Sequence, residues 1–329
     1  MAMKRFSFFA LFIMASIVMV LAGDSAGDSI VNPTVPYSYE QMLADLGQLK
    51  QRYPVILSGG SIGASVEGRE IPAVRLGNGR HKILICGSMH ARECITTNYL
   101  MYFIEQYAKA FVNHDSIGDY DVNLLLGNVS LYIAPMVNPD GVNIVQRGFE
   151  ASTRCDSLLR MKLTNYEEPA HRSWKANARG VDINRNFDHG WEDRPTDSLP
   201  ASSGFKGFAP LSEPESRALA GFAKRIKPEA VLAFHTQGEE FYFSTPDSCS
   251  TAIAARLVEA TGFEPQPIDP PYGSFQDFVN LHLGVFYACV ELCDYIGPRP
   301  YPESDFFKIW QPARHVIPIV ATGIMESQR

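Results

Sequence analysis

The stretch Ile83-Leu84-Ile85-Cys86-Gly87-Ser88-Met89-His90-Ala91-Arg92-Glu93 decides the fold class. A short apolar run, 83–86, reads as a buried strand; Gly87-Ser88 turns the chain, and a helical pattern follows over about 93–111. A buried strand that feeds a helix is the building unit of an α/β domain. In open sheets of that class ligands gather beyond the carboxyl ends of the strands, and that is where this reading puts His90 and Glu93.

The same alternation runs along the rest of the chain. Strands are predicted over 71–76, 82–86, 129–135, 231–234 and 285–292. Helices are predicted over 39–53, with Met42, Leu43, Leu46 and Leu49 on one face, and over 249–261. A third helix, 213–226, has a capping-box start with Ser212 as cap, Pro214 at the second helical position and Glu215 three residues on. The stretch 305–325 reads as one closing helix kinked around Pro312 and Pro318. Residues 141–180 form a polar connection without periodicity, and so long a loop in a compact domain carries function. No internal repeat or linker divides the chain.

Composition removes several function classes. Of 329 residues, 46% are hydrophobic and 20% charged, the balance of an ordinary globular chain. The net charge of -7, without a basic run of five, argues against a nucleic-acid partner. At the N-terminus Lys4 and Arg5 precede an apolar stretch, 6–21, that ends in Ala22-Gly23 before Asp24: the order of a secretory signal. The competing reading is a retained anchor, since this stretch is near the spanning minimum. The expected organisation is a signal segment 1–22, a linker 23–36 and one catalytic domain 37–329, exported and not inserted in a membrane once the signal is removed. Loss of Lys4 and Arg5 leaves 27 positive against 36 negative side chains, a charge of -9. All six cysteines, Cys86, Cys94, Cys155, Cys249, Cys289 and Cys293, follow the signal. Export permits one or two disulfides among them, although Cys86, inside an apolar run, reads as a buried thiol. Oligomeric state has no signature.

Chemistry concentrates at the strand ends. His90 and Glu93, three residues apart, can reach one ion, and His with Glu plus a distant second His is the ligand set of a catalytic zinc. Alone, H-x-x-E recurs often by chance. A second motif, Trp174-Lys175-Ala176-Asn177-Ala178-Arg179-Gly180-Val181-Asp182-Ile183-Asn184-Arg185-Asn186-Phe187, presents Arg185 between two asparagines, a planar fork suited to a carboxylate. In Val231-Leu232-Ala233-Phe234-His235-Thr236-Gln237-Gly238, His235 ends a buried strand and is placed to complete the metal set. In Tyr287-Ala288-Cys289-Val290-Glu291-Leu292, Glu291 lies in an otherwise apolar strand and needs a partner or a function.

Together these residues resemble the zinc carboxypeptidase family, from about Tyr37 to the C-terminus, and two further segments, Ile62-Gly63-Ala64-Ser65-Val66-Glu67-Gly68-Arg69 and Asn138-Pro139-Asp140-Gly141, add to the likeness. The resemblance implies a single α/β domain with a mixed, roughly eight-stranded sheet flanked by helices. It implies one zinc ion held by His90, Glu93 and His235, with Glu291 as general base and Asn184 and Arg185 holding a substrate carboxylate. The Trp174-Lys175-Ala176-Asn177 segment departs from the pancreatic branch, which carries a carbonyl-polarising Arg after the Trp, and is similar to the bacterial branch that cleaves γ-D-glutamyl-diaminopimelate bonds. Lys175, Arg179 or neither supplies the missing cation. Tyr272 is the candidate for the family's mobile tyrosine, and Gln276 for a polar pocket floor suited to diaminopimelate.

The resulting expectation is a zinc peptidase acting on peptides or muropeptides. The alternatives are a general carboxypeptidase and a non-catalytic binding protein on a peptidase scaffold. Gly59-Gly60-Ser61-Ile62-Gly63 matches the serine-hydrolase elbow only in letters, because a strand, not a helix, follows it.

Overall fold

Side chains alternate between the two faces of a strand, and here both faces are covered. The computed structural model describes residues 29–154, 157, 169–193 and 199–327. Its strands are β1 (Leu57–Ala64), β2 (Glu70–Leu76), β3 (His81–Cys86), a small hairpin of β4 (Ser116–Ile117) and β5 (Tyr120–Asp121), β6 (Val129–Ala134), β7 (Ala230–Thr236), β8 (Glu240–Ser244), β9 (Glu264–Gln266) and β10 (Phe286–Leu292). Eight of them form one mixed sheet in the order β1-β2-β6-β3-β7-β10-β8-β9. The central four, β6, β3, β7 and β10, are parallel, so their carboxyl ends share one edge.

The helices are α1 (Tyr39–Arg52), α2 (Ile95–Asn113), α3 (Val122–Asn128), α4 (Pro139–Arg147), α5 (Pro214–Ile226), α6 (Ser248–Thr261), α7 (Phe275–His282), α8 (Phe306–Ala313) and α9 (Val316–Glu326). On one face α1, α2, α8 and α9 cover Leu232, Phe234, Val290 and Leu292. On the other, α5 and α7 cover Val231, Ala233, Tyr287 and Cys289. His235 and Glu291 continue the second set, so alternation aims both at the α5/α7 side. Each fully buried core side chain contributes about 1.5–3 kcal/mol, which holds the strand ends to a fixed geometry.

Several boundaries differ from the sequence reading. The pattern 59–63 lies inside β1, an exposed edge strand whose glycines hide it from hydrophobic periodicity. Helix α5 starts at Pro214 with Glu213 as cap. Ser212 is not the cap, because its hydroxyl donates to the Glu213 carboxylate at 2.9 Å and accepts from Asn186 Nδ2 at 2.9 Å. The connection read as starting at 141 begins with helix α4, capped by Asn138 Oδ1, which accepts from Gly141 N at 3.0 Å. The closing stretch is two helices broken at Arg314-His315, not one kinked helix.

The signal segment and residues 23–28 lie outside the described residues. The described remainder of the expected linker is tied to α2: Ile30 N and Val31 N donate to the Glu105 carboxylate at 2.7 and 3.0 Å, and Asn98 Nδ2 donates to Pro33 O at 2.9 Å. Among the described residues no helix is long and apolar enough to cross a membrane. Cys86, Cys94, Cys249, Cys289 and Cys293 are free thiols, four of them buried; Cys155 lies outside the described residues.

Candidate metal centre

The chain leaves β3 through Ser88, whose φ of 46° is in the left-handed region. Hydroxyl groups hold that turn: Ser88 N donates to Thr96 Oγ1 at 2.7 Å, and Ser88 Oγ bonds Thr97 Oγ1 at 2.7 Å. His90 follows, and a 3-10 turn (Ala91–Glu93) swings Glu93 back under it. His235, six residues into β7, reaches the same point from the neighbouring strand. His90 Nδ1 lies 2.9 Å from Glu93 Oε1, His235 Nδ1 lies 2.8 Å from Glu93 Oε2, and the two Nδ1 atoms are 3.1 Å apart. All three residues are buried.

This donor set fits a divalent cation. Two neutral imidazole nitrogens facing each other across 3.1 Å cannot both donate along that vector, whereas an ion accepts a lone pair from each and from the carboxylate between them. Among the described residues it is the one group of three that could hold a metal. By contrast, the pair His81 and Glu229, 3.0 Å apart, meets at the other end of β3 with no third ligand among the described residues.

Around the triad sit the groups that tune it. Asp182 Oδ1 lies 3.2 Å from His90 Nε2, the carboxylate–histidine arrangement that fixes a ligand's tautomer. Asp182 is itself held by the N–H groups of Gly204 and Asn184. Burial opposes its charge, but His90 overcomes it and keeps the carboxyl well below the ordinary range. Lys175 Nζ is 3.5 Å from Glu93 Oε1. Burial likewise opposes ionisation of Glu93, and His90, Lys175 and His235 together hold it well below the usual value.

Glu291 pairs in parallel register with His235, so neighbouring strands set these side chains beside each other. Its Oε2 is buried with no partner among the described residues, while Cys289 Sγ donates to Oε1 at 3.8 Å. Burial, opposed by His235 and reinforced by Glu93, raises the Glu291 carboxyl to about 7.

A cavity of about 220 Å³ opens over this corner. Asn184, Arg185 and Tyr272 line it, with the Arg185 guanidinium 4.3 Å above the Tyr272 ring. Gly273, at φ +86°, allows the loops to lie together: a Cβ there would come within 2.8 Å of Arg185 O. Gln276 also lines the cavity and donates to Ser244 Oγ at 2.9 Å.

The zinc carboxypeptidase family pattern matches residues 42–259. The chain belongs to the zinc carboxypeptidase family. It is therefore a zinc-dependent metallopeptidase. This zinc carboxypeptidase relative is 34% identical over 292 residues, 86% of its own chain and 72% of the other, to gamma-D-glutamyl-L-diamino acid endopeptidase 1 of Lysinibacillus sphaericus. It is also 34% identical to an uncharacterized protein of Bacillus subtilis (strain 168), over 76% of this chain and 68% of that one. Among solved structures, bovine thrombin-activatable fibrinolysis inhibitor shares the fold with a TM-score of 0.71 at 20% identity, over 90% of this chain and 99% of that one.

Of the residues singled out in sequence, the structure brings His90, Lys175, Asn184, Arg185, Tyr272, Gln276 and Glu291 to the cavity wall, with Glu93 and His235 meeting His90 in the triad. Arg179 is the exception: its guanidinium turns to Glu213, 3.5 Å away, and it does not line the cavity. The Asn177 side chain explains this, because its Oδ1 accepts from Arg179 N and Val181 N, and that turn carries Arg179 outward. Asp182 was missed as a functional residue, though it stands two positions before Asn184 and caps the turn carrying Arg185. Cys289 was missed although the signal is local: it stands two residues before Glu291 on β10, on the same face of the strand.

Proposed function

We propose that this peptidase cuts the amide bond between a γ-linked D-glutamyl residue and a diamino acid in peptidoglycan peptides. The carrying observation is the composition of the 220 Å³ cavity: Asn184 and Arg185 on its wall, with Gln276 and Asp269 as further polar groups beside them. A diamino acid such as diaminopimelate brings a carboxylate for Arg185 and, on its side chain, an amine and a second carboxylate that need polar partners. The likeness to an endopeptidase of that bond supports the same substrate class. The N-terminal order of Lys4-Arg5, apolar stretch and small residues supports export to where such peptides occur.

In this reading His90, Glu93 and His235 hold the zinc, which when bound polarises the scissile carbonyl and makes water acidic near neutrality. Glu291 takes the water's proton and delivers it to the leaving amine; its buried position suits a base that works near pH 7. Lys175, on the cavity wall and 3.5 Å from Glu93 Oε1, is assigned in this reading to the negative charge that develops on the carbonyl oxygen, the role of the arginine in the pancreatic branch. Asn184 and Arg185 hold the departing residue by its carboxylate. The Tyr272 ring, stacked on Arg185, keeps that guanidinium turned to the cavity.

Mass spectrometry of purified cell-wall peptides after incubation with the zinc-loaded protein tests this. Release of the diamino acid or of peptides beginning with it is expected. Faster removal of C-terminal residues from ordinary α-linked peptides would favour a general carboxypeptidase instead.

A further inference from the structure

A second and larger cavity, about 780 Å³, is lined by segments that flank the site-bearing elements in sequence. Its walls continue the elements that bear the site. Arg172 stands three residues before Lys175, and Asp294 three residues after Glu291, at most about 10 Å along the chain in either case. The loop around Arg299 is fixed by Gln237, two residues beyond His235: Gln237 Nε2 donates to Arg299 O at 2.9 Å and its Oε1 accepts from Ile296 N at 2.7 Å. Asn184 and Arg185 line the smaller cavity and not this one.

The polar groups in it are unequally satisfied. Asp294 accepts from the Tyr301 hydroxyl at 2.7 Å, and Asp305 is paired with Lys308 at 3.0 Å. The guanidinium groups of Arg172 and Arg299 have no side-chain hydrogen bond or ion pair among the described residues. Glu303 is the one lining carboxylate likewise without a partner among them. Two planar donor forks thus line one polar cavity, and such forks match a carboxylate.

A γ-glutamyl linkage supplies one. Because the bond is made through the side-chain carboxyl, the glutamyl α-carboxylate stays free, about 5 Å along the chain from the scissile carbonyl carbon. We propose that the larger cavity is the acyl-side subsite, and that Arg172 and Arg299 bind there the free α-carboxylate of the γ-linked glutamyl residue. This rests on the γ-glutamyl reading of the substrate. Arg185 holds the carboxylate that leaves; Arg172 and Arg299 hold the one that stays with the acyl product.

Two tripeptides separate the claims: L-Ala-γ-D-Glu-diaminopimelate and its α-amidated counterpart, which lacks only the charge. The zinc-loaded wild-type protein is expected to cut the acid with a kcat/KM at least tenfold above that of the amide, the scale of one charge-assisted contact. In the Arg172→Gln/Arg299→Gln protein that ratio falls below threefold, and Arg172→Lys/Arg299→Lys restores part of it. Calorimetric binding of the product L-Ala-γ-D-Glu, weakened tenfold or more by the same substitutions, is a readout independent of turnover. Equal cutting of acid and amide by the wild type, or an undiminished preference in the double Gln variant, overturns the proposal and leaves the γ-glutamyl reading standing. Failure of the wild type to cut either tripeptide overturns both.

Discussion

Two groups of carboxylates, the buried Glu213, Glu215 and Asp140 on the α4/α5 side and Glu93 with the half-buried Glu291 at the metal corner, differ in how their oxygens are satisfied. In the first, donors come from the protein itself. Glu215 accepts from Val66 N at 2.9 Å and Asn177 Nδ2 at 3.2 Å, Glu213 accepts from the same amide at 2.8 Å, and Asp140 accepts from Ser65, Glu67 N and Arg69. These acids join the 65–69 turn, α4, α5 and the Asn177 loop into one scaffold. At the metal corner the donors are two imidazoles facing one carboxylate, and one oxygen of Glu291 has no partner among the described residues. Buried acids are ordinary when their hydrogen bonds close; acids whose bonds are left for a cation and a water mark chemistry.

Substitutions that push each group toward the other's condition test this contrast. The largest effect belongs to His235→Ala, which should abolish stoichiometric zinc by metal analysis, and with it hydrolysis. His81→Ala, at the two-membered pair on the far end of β3, should keep one zinc per chain. A full equivalent retained without His235 would dissolve the distinction.

Next in size, Glu291→Gln should retain zinc yet lose about 10²- to 10⁴-fold in kcat, the range for a positioned general base. Near-normal turnover would remove Glu291 from that role. Lys175→Met should lower kcat about 10²- to 10³-fold with little change in zinc content, as for loss of an oxyanion donor. An unaltered kcat would leave the developing charge to another group.

The smallest effect lies in the scaffold. Burial, ahead of its backbone and Asn177 hydrogen bonds, raises the Glu215 carboxyl from 4.5 to about 7. A carboxyl raised on folding stabilises the native state below its unfolded value, and that contribution is lost as pH rises through the folded one. The unfolding free energy from denaturant titrations should therefore fall between about pH 4.5 and 7, by on the order of 3 kcal/mol or less for this group. Glu215→Gln should flatten that slope, and an unchanged slope would trace it to other groups.

How much of this was legible in the sequence depends on the range of the forces involved. His90, Glu93 and His235 stand next to apolar runs that can only be central strands, so hydrophobic patterning alone puts them at one sheet edge. The adjacency of His235 and Glu291 depends on the register of β7 with β10, a long-range pairing with no local signature. Lys175 and Arg179 could not be told apart, because the direction each takes is set by the Asn177 side chain and its partners. Strand β1 escaped notice for the opposite reason: an exposed, glycine-rich edge carries no apolar alternation. The start of α4 was in plain view as Asn138-Pro139, a cap followed by proline at the first helical position.

The parallel pairing of β7 with β10 has an evolutionary consequence. Main-chain hydrogen bonds set the spacing between a ligand and the base, while the lining of both cavities comes largely from the connections beyond the strand ends. Insertions or exchanges in those connections can retune which amide is admitted without disturbing the distance over which a proton travels. Diversification of substrate range within this scaffold is thereby decoupled from preservation of its reaction.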